Sequence, residues 1–305
     1  MKTTVYRLSR HKRAQVLSML VEGVSISSTS RLTGIQKSTI IRLLLDVGAV
    51  CAEYLDVKIR GLTCQKIQAD EIWSFVRSKA KNTDDIGRSL GHGDVWLWLA
   101  IDADTKLIVS YYVGDRDAKS AKAFMLDVAS RLTHRIQLST DGHSPYLEAV
   151  EGAFGIDIDF AQLVKFYGTT DADDRRRYLG ARKTAVTGDP DPDYVSTTYC
   201  ERLNLTIRMS DRRYTRKTNA HSKKILNHCA SVALHVMYYN YVRVHSTLRV
   251  TPAMEAGLSD RVWSMSDIVA LLEAKEREKA KKPSKPRGHR FYKPHGLQPL
   301  RRSDH

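Results

Sequence analysis

Along residues 10–48 the apolar positions recur at helical spacing, and from residue 67 they change to short β-type runs. In the first stretch Val16, Leu17 and Leu20 share one side of a helix that Ser9 can cap and Gly23 ends. Ser25 or Ser27 starts a short second helix reaching Leu32, and Gly34 supplies the tight turn that only glycine adopts without strain. Ser38 is expected to cap a third helix, with Ile40, Ile41, Leu43 and Leu44 inward and Gly48 closing it. Thr39 and Arg42, three residues apart, share its outer face. Three short helices in this order predict a helix-turn-helix head that binds DNA.

The β-type runs cover 67–76, 95–102 and 106–114, with a turn at 102–105 that makes the last two a hairpin. A helix over 120–132 follows, carried by Ala121, Phe124, Met125 and Val128. Next come a strand over 136–140 ending at Asp141, a helix over 146–154 and a strand over 160–166. Residues 167–197, with Asp171, Asp173, Asp174, Arg175, Arg176, Arg177 and the run Gly188-Asp-Pro-Asp-Pro192, read as a polar, irregular insertion. Thr197 or Thr198 begins a helix through Glu201, Leu205 and Arg208; a basic loop over 212–217 and a helix over 222–242 follow. Ser266 is expected to cap a terminal helix over 266–280. The expected architecture is α/β: a ribonuclease-H-like mixed five-stranded sheet with flanking helices, preceded by the all-α head. The divisions are 1–60 for the head, 61–258 for the catalytic domain with its insertion at 167–197, and 259–305 for the terminal helix and a basic tail expected to be disordered without a partner.

Charge sharpens this picture. The net charge is +15, of which +6 lies in residues 1–50 and +8 in 275–305, leaving +1 for the centre. Two basic ends around a near-neutral core suggest a polyanion partner. No apolar run approaches the roughly 18 residues that a membrane span needs. The N-terminus lacks the apolar core of a signal peptide, so a cytoplasmic location at the bacterial nucleoid is expected. Cysteines 51, 64, 200 and 229 form no C-x-x-C pair, which argues for reduced, buried thiols rather than a zinc knuckle or a disulfide framework.

Three acids stand out by position. Asp70 lies inside an apolar strand, Asp141 at the C-terminal end of another, and Glu201 in the first turns of a helix. In the ribonuclease-H-like order the first and fourth strands are neighbours, so Asp70 and Asp141 would face each other with Glu201 above them. Carboxylates brought that close repel, and must either protonate or bind cations. Oxygen-only ligands suit Mg²⁺ or Mn²⁺. Two such ions about 3.5–4 Å apart can serve an in-line phosphoryl displacement. No Ser-His-Asp or Cys-His arrangement competes.

The stretches Ala69-Asp-Glu-Ile-Trp-Ser-Phe75, Ser139-Thr-Asp-Gly142 and Tyr199-Cys-Glu-Arg-Leu-Asn-Leu-Thr-Ile-Arg208 resemble those around the acidic triad of bacterial insertion-sequence transposases, closest to the IS-one class of the DDE superfamily. Arg212-Arg-Tyr-Thr-Arg-Lys-Thr218, Tyr239-Asn-Tyr-Val-Arg243 with His245, and Thr251-Pro-Ala-Met-Glu-Ala-Gly257 resemble the same family's C-terminal signatures, so the resemblance spans about residues 65–270. It implies a ribonuclease-H-like core that cuts and joins DNA at element ends, with Asp70, Asp141 and Glu201 in the triad roles and two Mg²⁺ or Mn²⁺ ions per site. Members of that class carry a cysteine-rich head, whereas residues 1–50 here contain no cysteine, and the 60-residue gap from Asp141 to Glu201 is long.

The expected DNA contacts are Lys37, Ser38, Thr39 and Arg42 in the head, and Arg208, Arg212, Arg213, Arg216 and Lys217 beyond the triad helix. Asn204 lies beside Arg208, His143 sits two residues after Asp141, and Trp73, Trp96 and Trp98 are expected in the core. The expected partners are double-stranded DNA, as element terminal inverted repeats and as target, and a second copy of the chain, since two ends need two active sites. Asp189, Asp191, Asp193 and Glu151 compete with Glu201 for the third acid. A helix-turn-helix regulator without catalysis, and a nuclease that cuts without joining, remain as alternatives.

Overall fold

A computed structural model describes residues 8–169, 176–215 and 218–281. Arg216, Lys217 and the basic tail beyond residue 281 lie outside the described residues. The chain divides into two units, one of Met1–Lys58, Ser74–Asp94 and Ile207–His305, the other of Ile59–Trp73 and Val95–Thr206. Among the described residues no helix is long and apolar enough to cross a membrane.

The second unit is built on a mixed sheet. Its strands are β1 (Lys66–Val76), β2 (Gly93–Asp102), β3 (Ile108–Gly114), β4 (Gln137–Asp141), β5 (Asp159–Thr169) and β6 (Arg176–Thr187), in the order β3-β2-β1-β4-β5-β6. β2 and β3 are antiparallel, β4 runs parallel to both β1 and β5, and β6 returns antiparallel to β5. The β2–β3 turn is held by Asp102, whose carboxylate accepts the Thr105 N–H at 3.2 Å and the Thr105 hydroxyl at 2.6 Å. The arrangement is compatible with a ribonuclease-H-like fold, with six strands instead of the expected five.

The additional strand comes from the stretch read as irregular. Tyr178, Gly180, Arg182 and Thr184 mix aromatic, small and charged side chains, so no apolar alternation marks the run. Pairing to β5 satisfies its backbone instead, from Phe160↔Thr187 to Thr169↔Arg176.

Before β4 comes α5 (Ala118–Ala129), capped by Asp117, and after it α6 (Pro145–Phe154). Fully buried Trp98 of β2 meets both, with ring centroids 5.9 Å from Phe124 and 5.5 Å from Tyr146. Trp73 and Trp96, expected in the core, are only half-buried. On the other side of β2, Cys200 of α7 (Thr198–Ser210) is buried with its sulfur against the β1 and β2 backbone.

In the first unit Ser9 caps α1 (Arg10–Val21) and Ser25 caps α2 (Ile26–Thr33), which ends at Gly34 with φ +71°. Two expectations fail in α3 (Lys37–Lys58). It begins before Ser38, which is therefore not its cap, and it runs ten residues past Gly48. Gly48 is a close-approach position: a Cβ there would come within 2.5 Å of the Ala230 Cα in α8 (Ile225–Met237). The missing side chain lets two buried helices touch. The last helix of the unit, α10 (Met265–Lys281), packs on α1, with Arg13 reaching Glu276 at 3.3 Å. Its cap is Ser264, whose hydroxyl accepts the Asp267 N–H at 3.3 Å, rather than the expected Ser266.

Candidate active site

The parallel pairing Ala69↔Thr140 brings Asp70, the next residue of β1, beside Asp141 at the end of β4. Glu71 joins them, and one carboxylate oxygen from each of Asp70, Glu71 and Asp141 lies within 4.8 Å of the others. Successive strand residues point to opposite faces. Accordingly the Asp70 carboxylate accepts Asn204 Nδ2 of α7 at 2.8 Å, whereas Glu71 accepts the Tyr146 hydroxyl of α6 at 3.1 Å and Arg116 Nε at 2.7 Å. The backbone N–H of His143 donates to Asp141 Oδ1 at 3.0 Å and holds the third carboxylate.

What aims α7 at this cluster is Gln68. Its Oε1 accepts the N–H groups of Tyr199 and Cys200, at 2.8 and 3.3 Å, two of the orphan donors in the first turn of the helix. Glu201, in that first turn, is turned toward β5. Its Oε1 accepts the Thr197 hydroxyl at 2.5 Å and pairs with Lys165, and it does not join the three clustered carboxylates.

Electrostatics mark the cluster as short of positive charge. Burial, followed by repulsion from Glu71 and Asp141, raises the Asp70 carboxyl to about 7. Glu71 is also raised, by burial and then by Asp141, against the pull of Arg116. The His143 imidazole is lowered, first by burial and then by Arg116, despite Asp141 nearby. All three clustered donors are carboxylate oxygens, the set that a hard divalent cation prefers. The residues present therefore fit a hard divalent cation.

Of the competing acids, Asp189, Asp191, Asp193 and Glu151 are exposed and none belongs to the cluster. Asp191 instead caps a short turn, accepting the Asp193 N–H at 2.9 Å. Sequence reasoning missed Glu71, although it lies in the quoted motif, because strand alternation points it away from Asp70. It also missed Gln68, Arg116, Tyr146 and Lys165, which carry no motif signal. Asn204 was singled out only as a neighbour of Arg208; its three-residue spacing from Glu201 was the available clue.

In the first unit Lys37, Ser38, Thr39 and Arg42 are all exposed, along the start and outer side of α3. Arg208 is half-buried and Arg212 exposed. Arg213, expected on DNA, is turned inward: its guanidinium donates to Asp211, Ser222 and Ser231 at 3.2, 3.0 and 2.7 Å. Asp211, only 3% exposed, needs that counter-charge, which is why the arginine is withdrawn from solvent.

No family model matches the chain, and no curated protein matches it. Among solved structures it is similar to a piggyBac transposase in a synaptic complex with hairpin DNA, at 9% identity and a TM-score of 0.38, over 94% of this chain and 76% of that one. A likeness of that degree establishes neither family nor function.

Proposed function

We propose that this chain is a DNA transposase of the insertion-sequence DDE type. In this reading it binds the terminal inverted repeats of its element, cleaves the phosphodiester to free 3′-hydroxyls and joins them to target DNA by in-line transesterification. The observation that carries the reading is the carboxylate cluster where β4 ends beside the middle of the parallel strand β1, buried enough to hold Asp70 at about 7 and built from the motifs that resemble the family. Asp70, Asp141 and Glu201 are the proposed ligands of two divalent ions, with Glu71 beside them. Such ions, when bound, supply charge neutralisation and activation of the attacking oxygen.

The remaining roles fall to the chain itself. Asn204 Nδ2 donates to Asp70 Oδ2 and the Glu71 N–H to Oδ1, which together fix the orientation of this carboxylate. Gln68 fixes the first turn of α7, and Tyr146 with Arg116 restrains Glu71. Lys165 and Thr197 keep Glu201 on the β5 side, and Glu201 must leave Lys165 to become a ligand. Arg208 and Arg212 are assigned to the DNA backbone, with Arg216 and Lys217 beyond the described residues. Thr39 and Arg42 are assigned to base edges in a major groove, with Lys37 and Ser38 on phosphates. Two ends require two active sites, so the working form is at least a dimer on DNA.

The test is one reaction containing a labelled duplex with the inverted repeat that flanks the gene, a target plasmid and Mg²⁺. Binding, cutting and joining support the reading. Binding alone would make the protein a regulator, and cutting without joining would make it a hydrolase.

A further inference from the structure

We infer that the projecting end of the β5–β6 ribbon is a stacking platform for an unpaired nucleic-acid strand entering the acidic site. β4 pairs with β5 only as far as Asp141↔Leu163, and beyond that point β5 has β6 alone as its partner. The ribbon therefore extends past the sheet at the same end of β4 that carries Asp141. Lys165, two residues beyond the last paired position, is the group that holds Glu201.

This end carries large apolar side chains in water. Tyr167 is 54% exposed and Tyr178 56%, on the face of the ribbon that carries Lys165, and Phe166 and Leu179 are exposed on the opposite face. Tyr167 and Tyr178 are cross-strand partners whose rings meet edge to face at 6.0 Å, and the Arg182 guanidinium lies 5.9 Å from the Phe166 ring. An exposed apolar group on a ribbon this thin has no core behind it to explain it. The strands are also basic. Asp159 at the far end is paired with Arg135 at 2.7 Å, and by sequence residues 164–183 hold six Lys/Arg against Asp171, Asp173 and Asp174, a net of +3.

Aromatic faces with cations beside them suit a polyanion that presents flat rings, and a single strand does so where a duplex hides its base faces. A second copy of the chain could pair with β6, which is bonded on one side only, but two basic ribbons would repel. This inference deepens the proposed transposase function and rests on it.

The experiment is binding of labelled oligothymidylate, and of a duplex of equal length, to the full chain in EDTA over a range of salt. Changing Tyr167→Ala together with Tyr178→Ala should weaken single-strand binding about tenfold or more, without changing the salt slope. The paired Tyr→Phe variant should keep wild-type affinity. Arg182→Ala, beside Phe166 on the opposite face, should weaken single-strand binding much less than the tyrosine pair does. Duplex affinity should be unchanged throughout. Wild-type single-strand affinity in the Tyr→Ala pair would overturn the inference, as would an oligomer that dissociates in that variant by light scattering. The readout needs neither metal nor cleavage. A chain that cuts and joins while the Tyr→Ala pair binds normally refutes the ribbon alone, and a chain that never cuts while the pair loses binding refutes the transposase reading alone.

Discussion

Asp70 sits in an environment far from what its chemistry prefers. Its folded-state carboxyl, at about 7, lies well above the ordinary carboxylate value of 3.8, because burial and the neighbouring anions Glu71, Asp141 and Glu201 disfavour ionisation. The protonated form is thus favoured by folding. Its contribution to stability is complete below pH 3.8 and is lost as pH rises through 7. Asp70→Asn, neutral at every pH and of similar shape, should therefore stabilise the metal-free protein at pH 8 by about 1–2 kcal/mol, after allowing for solvent screening of a partly exposed group. The same variant should match wild type at pH 4. Urea unfolding at the two pH values checks this, and an equal gain at both would mean that charge is not the cause. A second residue-scale prediction separates Glu71 from Glu201. Asp70→Ala, Asp141→Ala and Glu201→Ala should retain end-binding and lose cleavage and joining. Glu71→Gln, which keeps an acceptor for Tyr146, should retain measurable cleavage. Full activity of Glu201→Ala in Mg²⁺, with none in Glu71→Gln, would transfer the third ligand position to Glu71.

At the scale of elements, two close approaches decide the architecture. One is the seating of α7 on β1 through Gln68, which turns a helix with no obvious anchor into the support for Asn204. The other is the contact of α3 with α8 at Gly48. Replacing a mid-helix glycine by alanine ordinarily stabilises a helix by about 1 kcal/mol. Here the new Cβ would lie 2.5 Å from the Ala230 Cα and 2.6 Å from its carbonyl oxygen, and backbone on the facing helix cannot move aside as a flexible side chain can. Overpacking of this kind costs about 1–3 kcal/mol and outweighs the propensity gain. Gly48→Ala should lower the urea midpoint, and a raised midpoint would show that the helices separate freely.

Across the molecule, acid sensitivity should originate in the first unit. Burial lowers His228 to about 4 and also lowers His235. Burial alone would raise Asp211, yet Arg213, its backbone N–H, His235 and Ser231 together hold the carboxyl below its ordinary value. Each of these shifts is a depression relative to the unfolded chain. The associated stability is present near neutral pH, begins to fade below 6.5 as the histidines protonate on unfolding, and is lost for His228 near pH 4. The shift at His228, from 6.5 to about 4, corresponds to about 3–4 kcal/mol. Tyr214 lies 2.9 Å from its Nε2, so His228→Gln keeps a polar partner there. That variant should flatten the fall in unfolding free energy between pH 6.5 and 4, and an unchanged slope would assign the acid transition elsewhere.

Periodicity and residue type predicted the order of most helices and strands, the capping role of Ser9 and Ser25 or Ser27 as the second cap, and the ribonuclease-H-like strand order then set Asp70 beside Asp141. These are local properties: side-chain alternation, cap chemistry and the grammar of parallel strands act over a few residues. Contacts distant in sequence decided the rest. Gly48 reads as a helix end until Ala230 is set against it, and β6 reads as an irregular stretch until β5 satisfies its backbone. Arg213 reads as a DNA contact until buried Asp211 requires its charge. Glu71 enters the acidic cluster, and Glu201 is drawn to Lys165, because a carboxylate's position follows the nearest counter-charge and donor, and those lie on elements far along the chain.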